Sequence, residues 1–423
     1  MTRSQVAVFH SGTQHSWQTA RALQDLDRLA WYATSIFYQP DRWPYKLERL
    51  PGTAGRILRR EFSRFHAPAI DPSLVRTSGW HEWLERGLSR AGLQSLAARM
   101  DMAGNRAFGR ALAADIRSSE PFHLWGYDNG ALTAFQAGKQ QGRTCILDRT
   151  VGDLRVYNRM MREVQDQYGD WFLDEVFYSD DLTSTAAAEH ELADHILVGS
   201  PFAAGTLTEF NSAEVMRKVE VLEYCFDEAL YAEMPAPRPV AADRPVRFLQ
   251  LGLMIPRKGI HHTLEAIAQL PAKDATLTVV GNVGIPPEIF AQYQDRITHL
   301  PTVPRSEVPR IMAEHDVFLF PTYFEGAGIV LYEALACGMA LIQSNRAAAA
   351  VTPDTGVMLE KPDTELLLAA MRLAIDDRDL LDFWRSNAQA EAAKYHYSGY
   401  RTRIADLLDR IESGTAPQLR AVP

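Results

Sequence analysis

Residues 316–344 read DVFLFPTYFEGAGIVLYEALACGMALIQS, and this stretch decides the fold. Residues 316–321 form a short, nearly continuous apolar run, the pattern of a strand covered on both faces. Residues 329–337 read as a helix, and ALIQS (340–344) as a second buried strand. Strand, helix and strand in this order build a right-handed crossover in a parallel sheet. The alternation extends upstream. VRFLQLGLM (246–254), ATLTVVG (275–281) and residues 297–301 read as strands, and 259–270 and 305–314 as helices, with Leu264, Ile267 and Ala268 on one helical face. The second half is therefore an α/β, doubly wound, Rossmann-like domain.

The first half starts the same way, with a strand in QVAVFHSG (5–12) and a helix over 17–26. FHLWGYDNG (122–130), TCILDRT (144–150) and HILVGSP (195–201) read as later strands with polar residues at their carboxyl ends. Residues 41–117 are basic and helix-rich, an insertion that breaks the alternation. Four prolines between 235 and 245 cannot propagate a helix or a central strand, so this segment reads as a semi-rigid linker. Helical stretches near 364–376, 380–394 and 398–412 close the chain. The expected domains are 1–234, 246–396 and a tail from 397 that packs back on the first, giving two lobes around a cleft.

Composition narrows the class. The chain has 423 residues, 46% hydrophobic and 23% charged, ordinary for a globular protein and too apolar for disorder. No run approaches the roughly 20 apolar residues of a membrane span, and the N-terminus does not read as a signal peptide. Three cysteines far apart in sequence suggest neither a disulfide framework nor a metal knuckle, so a reducing cytoplasm is expected. The net charge of −9 argues against nucleic acid as a partner. Residues 1–150 nevertheless carry 20 Lys/Arg against 13 Asp/Glu, whereas 151–234 carry 5 against 18. A basic first segment suits an anionic partner.

Two segments carry chemistry. In Glu325-Gly326-Ala327-Gly328-Ile329, small residues stand between a strand end and a helix start. There a ligand can approach main-chain N–H groups, and the helix N-terminus favours phosphate. Glu325 in the turn and Glu333 on the helix can both face one cleft. The bland alternative is a glycine turn that merely closes, with Glu333 solvated. In Gly252-Leu253-Met254-Ile255-Pro256-Arg257-Lys258-Gly259, Arg257 and Lys258 place two positive charges beside another helix entry, an arrangement that suits a diphosphate. A solvated basic loop is the alternative there. The spacing of a Walker loop is absent.

These segments resemble the donor-binding lobe of the GT-B retaining glycosyltransferases of the glycosyl transferases group 1 type. The family pattern Glu-Gly-x-Gly-x(4)-Glu-Ala-x-Ala-x-Gly is met at Glu325, Gly326, Gly328, Glu333, Ala334, Ala336 and Gly338. Similarity extends over VVGNVG (279–284), residues 300–322 and residues 191–203, about 190–412 in all, whereas residues 1–150 match only in layout. The resemblance implies that Lys258 meets the donor diphosphate, while Glu325 and the amides of Gly326, Ala327, Gly328 and Ile329 hold the sugar and distal phosphate. Glu333 would take the ribose hydroxyls, and main chain near Val303, with the Gly281 turn, the base. The chain departs at Leu253, where the family usually has an arginine; Arg257 is expected to substitute.

On the first lobe, Ser11, Gly12 and Thr13 follow strand one and would face the cleft. Asp148 stands at a strand end where many relatives carry a histidine beside the transferred sugar, so Glu325 and Asp148 are the expected catalytic pair. An Asp–Arg pair with Arg149, or a helix cap, is the alternative for Asp148. Tyr127, Asp128 and Asn129, with Arg149, are candidate acceptor contacts; a simple turn explains the first three equally well. His10, His15, His261 and His262 take structural readings, because no His-Glu-x-x-His and no carboxylate at metal spacing accompany them. No metal or other cofactor is expected.

Residues 42–64 interleave Arg42, Lys46, Arg49, Arg56, Arg59, Arg60 and Arg64 with Trp43, Tyr45, Ile57, Leu58 and Phe62. That pattern suits an anionic membrane surface or a lipid-linked acceptor, or else a solvated helix packed on its lobe. The expected function is retaining, metal-independent transfer of a sugar from a nucleotide-diphosphate sugar to a hydroxyl acceptor, in the cytoplasm or at the inner membrane face. A non-catalytic relative that binds a ligand or partner, and a nicotinamide-dependent enzyme, are the competing readings.

Overall fold

The computed structural model describes residues 4–12, 15–62, 65, 67, 69–77, 108–174 and 177–415. The first lobe is a seven-stranded parallel sheet, ordered β3-β2-β1-β4-β5-β6-β7. Its strands are β1 (Gln5–His10), β2 (Leu29–Thr34), β3 (Val75–Thr77), β4 (Phe122–Tyr127), β5 (Cys145–Arg149), β6 (His195–Val198) and β7 (Val219–Val221). The second sheet has the order β10-β9-β8-β11-β12-β13. It comprises β8 (Val246–Leu251), β9 (Ala275–Val280), β10 (Ile297–Leu300), β11 (Val317–Phe320), β12 (Ala340–Ser344) and β13 (Gly356–Leu359). Every pairing is parallel, and Val6–Phe9, Ile146, Leu147, Val317–Leu319 and Ala340–Ile342 are buried at the sheet centres, as continuous apolar strands require.

The described part of the insertion is not separate from the sheet. β3 lies within it and pairs with β2 at the sheet edge. Its aromatics also turn inward: Tyr45, Phe62 and Phe65 form a small core with Ile36. Arg64 lies outside the described residues.

The linker runs along the helix Arg378–Ala392. Arg385 donates to the Arg238 carbonyl at 2.6 Å, and the Val240 amide donates to Asp382 at 2.9 Å. Arg244 grips Asp316 with two bonds of 2.6 and 2.8 Å, tying the linker's end to the start of β11. The last helix, Tyr397–Ser413, returns to the first lobe, where Tyr400, Ile404, Leu407 and Leu408 enter its core. There the Tyr400 hydroxyl meets Thr19 Oγ1 at 2.7 Å.

The lobes touch closely. Ser200 Oγ donates to the Gly326 carbonyl at 2.5 Å, and the ring of Phe324 packs on Tyr157 and Phe202. Trp171, at the end of the segment after the helix Leu154–Tyr168, is buried in the second lobe's core beside His261.

Candidate active site

β8 ends at Leu251 because Gly252 takes φ +133°, and β9 ends where Gly281 takes φ +141°. A Cβ on Gly281 would lie 1.9 Å from the Gly252 carbonyl oxygen, so these adjacent strand ends can approach only as glycine. The pair opens a cavity of about 250 Å³ lined by Leu253, Asn282, Thr302, Val303 and Val308. Gly281 and Val303 thus share one pocket.

Pro256–Lys258 form one 3-10 turn, and Gly259 starts the next helix in the left-handed region, φ +67°. A Cβ there would lie 1.9 Å from the Pro321 carbonyl oxygen. This fit locks the basic turn against the end of β11 and brings Arg257 and Lys258 to Glu325. Arg257 Nη1 lies 3.1 Å from Glu325 Oε2 and 2.7 Å from the Phe324 carbonyl, and Lys258 Nζ bonds the same carboxylate oxygen. Burial alone would raise the Glu325 carboxyl, but the Lys258 and Arg257 charges hold it below the usual carboxylate range.

The Glu325 amide donates to the Arg346 carbonyl at 3.1 Å. Among the described residues, no acceptor takes the main-chain N–H of Gly326, Ala327, Gly328 or Ile329. Gly328 adopts φ +80°, and the helix Val330–Ala336 follows. Unpartnered amides at a helix start, beside two cations, mark a candidate anion site. Glu333 lies in the first turn of that helix, with Arg305 Nη2 3.3 Å from its carboxylate. Burial raises the Glu333 carboxyl despite Arg305.

First-lobe expectations fare differently. Asp148 does not line the cleft: it is 1% exposed and takes bonds from Tyr224 Oη at 2.6 Å and Trp125 Nε1 at 3.2 Å. Its burial pushes its carboxyl up to about 7. Strand alternation explains this, since β5 is covered on both faces and Asp148 points into the sheet's packing. Tyr127 is likewise buried, its hydroxyl 2.6 Å from Thr19 Oγ1. Arg149 is buried too. It donates to the Gly152 carbonyl at 2.9 Å, and among the described residues its Nε and Nη1 have no hydrogen-bond partner. Its charge acts on Asp153 and Glu189, so it serves as an interior counter-ion.

Asp128 takes the Thr150 amide and hydroxyl at 3.1 and 2.9 Å, holding the β5 loop. Asn129 adopts φ +62° in the turn after β4, and its amide donates to Glu189 at 2.9 Å. Glu189 also accepts from Ala131 and Leu132, capping the helix Leu132–Gln140, and burial lifts it to about 7. Ser11 lies beside the same turn, with its hydroxyl near Gly130. Gly12 accepts from Thr34 Oγ1 at 3.1 Å, and Thr13 lies outside the described residues.

Three residues near the centre carry no local sequence signal. Burial raises the Tyr178 phenol, on which the charges of Arg257, Asp128, Arg149 and Glu325 act together. Tyr178 and Arg257 line one cavity between the lobes. His15 stacks on Tyr224 at 4.7 Å and feels Arg305 of the other lobe; burial lowers it to about 4. Arg305 itself lies within the similar stretch 300–322 but stands out only beside Glu333.

Two Rossmann-like lobes meeting over such an anion site define the GT-B class of fold. Residues 237–391 match the family described as glycosyl transferases group 1. The chain is 29% identical over 152 residues to the O-antigen chain mannosyltransferase B of Escherichia coli, covering 34% of this chain and 39% of that one. It is also 29% identical over 171 residues to the lipopolysaccharide glucosyltransferase WaaG of Escherichia coli K12, covering 38% and 45%. The matched stretches thus span less than half the length of these relatives. Among solved structures, Anabaena HepE in complex with UDP aligns with a TM-score of 0.60 at 16% identity, over 96% of this chain and 99% of that one.

Proposed function

We propose that the chain is a glycosyltransferase that moves a sugar from a nucleotide-diphosphate donor to a hydroxyl acceptor, with retention of configuration and without a metal. The observation that carries this reading is the meeting of Arg257 and Lys258 at Glu325, immediately before the four main-chain amides of 326–329 from which no described residue accepts. Negative charge grows on a departing diphosphate, and fixed cations and amide dipoles stabilise it there. The mannosyl- and glucosyltransferase names of the relatives and the UDP of the HepE complex support a nucleotide-sugar donor, whose base would enter the pocket beside Gly281 and Val303. Glu325 would orient the sugar, and the leaving phosphate would receive the acceptor proton in same-face attack. Arg257, within reach of Glu325, supplies the second charge that Leu253 does not.

A peripheral contact with an anionic bilayer belongs to the same reading. Trp43 and Ile57 are 74% and 57% exposed, beside exposed Arg42, Lys46, Arg56 and Arg59. Among the described residues, no helix is long and apolar enough to cross a membrane. Products from a panel of nucleotide sugars, incubated with chelator and assigned by anomeric NMR, test the activity. No transfer and no donor hydrolysis across the panel would leave a non-catalytic binding protein.

A further inference from the structure

Between the helix Leu154–Tyr168, the residues 172–174 and 177–178 and the loop 253–257 lies a cavity of about 440 Å³. Ligand sites of small molecules commonly have this size. Its wall is apolar: Met161, Phe172, Phe177 and Tyr178 of the first lobe face Leu253 and Ile255 of the second. Among the described residues, only Arg257 and Asp174 bring charge to it. Leu253 and Leu173 are 52% and 53% exposed, so carbon surface stands open at this space.

Two observations tie the cavity to the reacting centre. Arg257, which lines it together with Tyr178, lies 3.1 Å from Glu325 Oε2. Leu253 lines both this space and the pocket of Gly281 and Val303, so the two are neighbours through one side chain. A bare sugar placed against the carbon part of this wall would give up hydration without regaining hydrogen bonds.

We propose that this cavity is an acceptor subsite for a hydroxyl compound bearing an apolar body, an aryl or short alkyl group, with its polar end toward Tyr178 and Arg257. The word acceptor rests on the glycosyltransferase reading, whereas the apolar preference rests on the cavity alone.

The test titrates the full chain with phenyl, octyl and methyl β-glucosides, the octyl compound below its micelle concentration. Calorimetry and saturation-transfer NMR read binding, with UDP or GDP added in parallel. Phenyl and octyl glucosides should bind roughly tenfold more tightly than the methyl compound, and their apolar protons should receive saturation. Leu173→Gln and Leu253→Gln change half-exposed positions, keep the melting temperature and should remove that preference. Equal affinity for the three glucosides, or a preference that survives both substitutions, overturns the subsite. Failure of the glycosyltransferase reading looks different: no nucleoside diphosphate binds and no sugar moves, while the apolar preference stays.

Discussion

Gly326 of the second lobe rests against the Thr150 carbonyl of the first, so closely that a Cβ on Gly326 would lie 1.8 Å from that oxygen. The candidate anion site is thereby built into the lobe interface. Gly326→Ala must push the lobes apart at this point. Sugar transfer should fall by an order of magnitude or more, while nucleotide binding to the second lobe changes little, because orientation across the cleft is lost. Steady-state kinetics beside calorimetry would show this, and unchanged turnover would count against the closed lobe contact as the working arrangement.

Glu333 is expected to hold the nucleotide rather than the transferred sugar. Glu333→Ala should weaken nucleotide affinity by roughly tenfold, the worth of one charged hydrogen bond, with a smaller effect on turnover at saturating donor. A fall confined to turnover would move Glu333 to another role.

Arg149 answers to stability rather than binding. Its guanidinium is fully buried, donates to the Gly152 carbonyl and acts across space on Asp153 and Glu189, while Asp153 keeps Arg155 as its direct partner at 2.6 Å. Arg149→Met should therefore cost about 1.5–3 kcal/mol, the worth of a hydrogen bond from a charged group, read by urea unfolding. An effect under about 1 kcal/mol, within the range of surface ion pairs, would remove Arg149 from the interior network.

Asp148 gives a pH dependence with a definite sign. Its carboxyl is lifted to about 7 in the folded chain, against about 3.9 when unfolded. Between those values the folded state keeps a proton that the unfolded state has released, so stability falls as pH rises through the window. Glu189 titrates over the same range, so the comparison has to be with Asp148→Asn. The variant should gain on the wild type by up to about 1.4 kcal/mol per pH unit from pH 4 to 7. Parallel stability curves would show that Asp148 stays charged inside the fold.

Arg56→Glu with Arg59→Glu should abolish flotation with anionic vesicles at low salt and leave the melting temperature within a degree or two, since both side chains are exposed. Flotation that persists would place any membrane contact elsewhere.

The second lobe was legible because its strands are continuous apolar runs between helices, and ALIQS fell on its strand residue for residue. β13 went unread because Val357 and Met358 are partly exposed and the strand is four residues long. β3 shows only Val-Arg-Thr, half exposed at an edge. Arg257, Lys258 and Glu325 could be read because loops at strand ends gather side chains that are already close in sequence. Asp148, Tyr127 and Arg149 misled because sequence proximity to a strand end does not say which side of a doubly covered sheet a side chain enters. Tyr178 had no signal at all: its place depends on how the segment after the helix Leu154–Tyr168 lies on the other lobe.

Calorimetric titration of the wild type and Lys258→Ala with UDP, GDP and ADP tests the central claim most directly. One of the three should bind the wild type. The substitution, by removing a charge-assisted contact of about 1.5–3 kcal/mol, should weaken that nucleotide roughly ten- to a hundredfold. No binding by any of the three, or equal affinity in the two proteins, would contradict a diphosphate held at Arg257, Lys258 and the 326–329 amides.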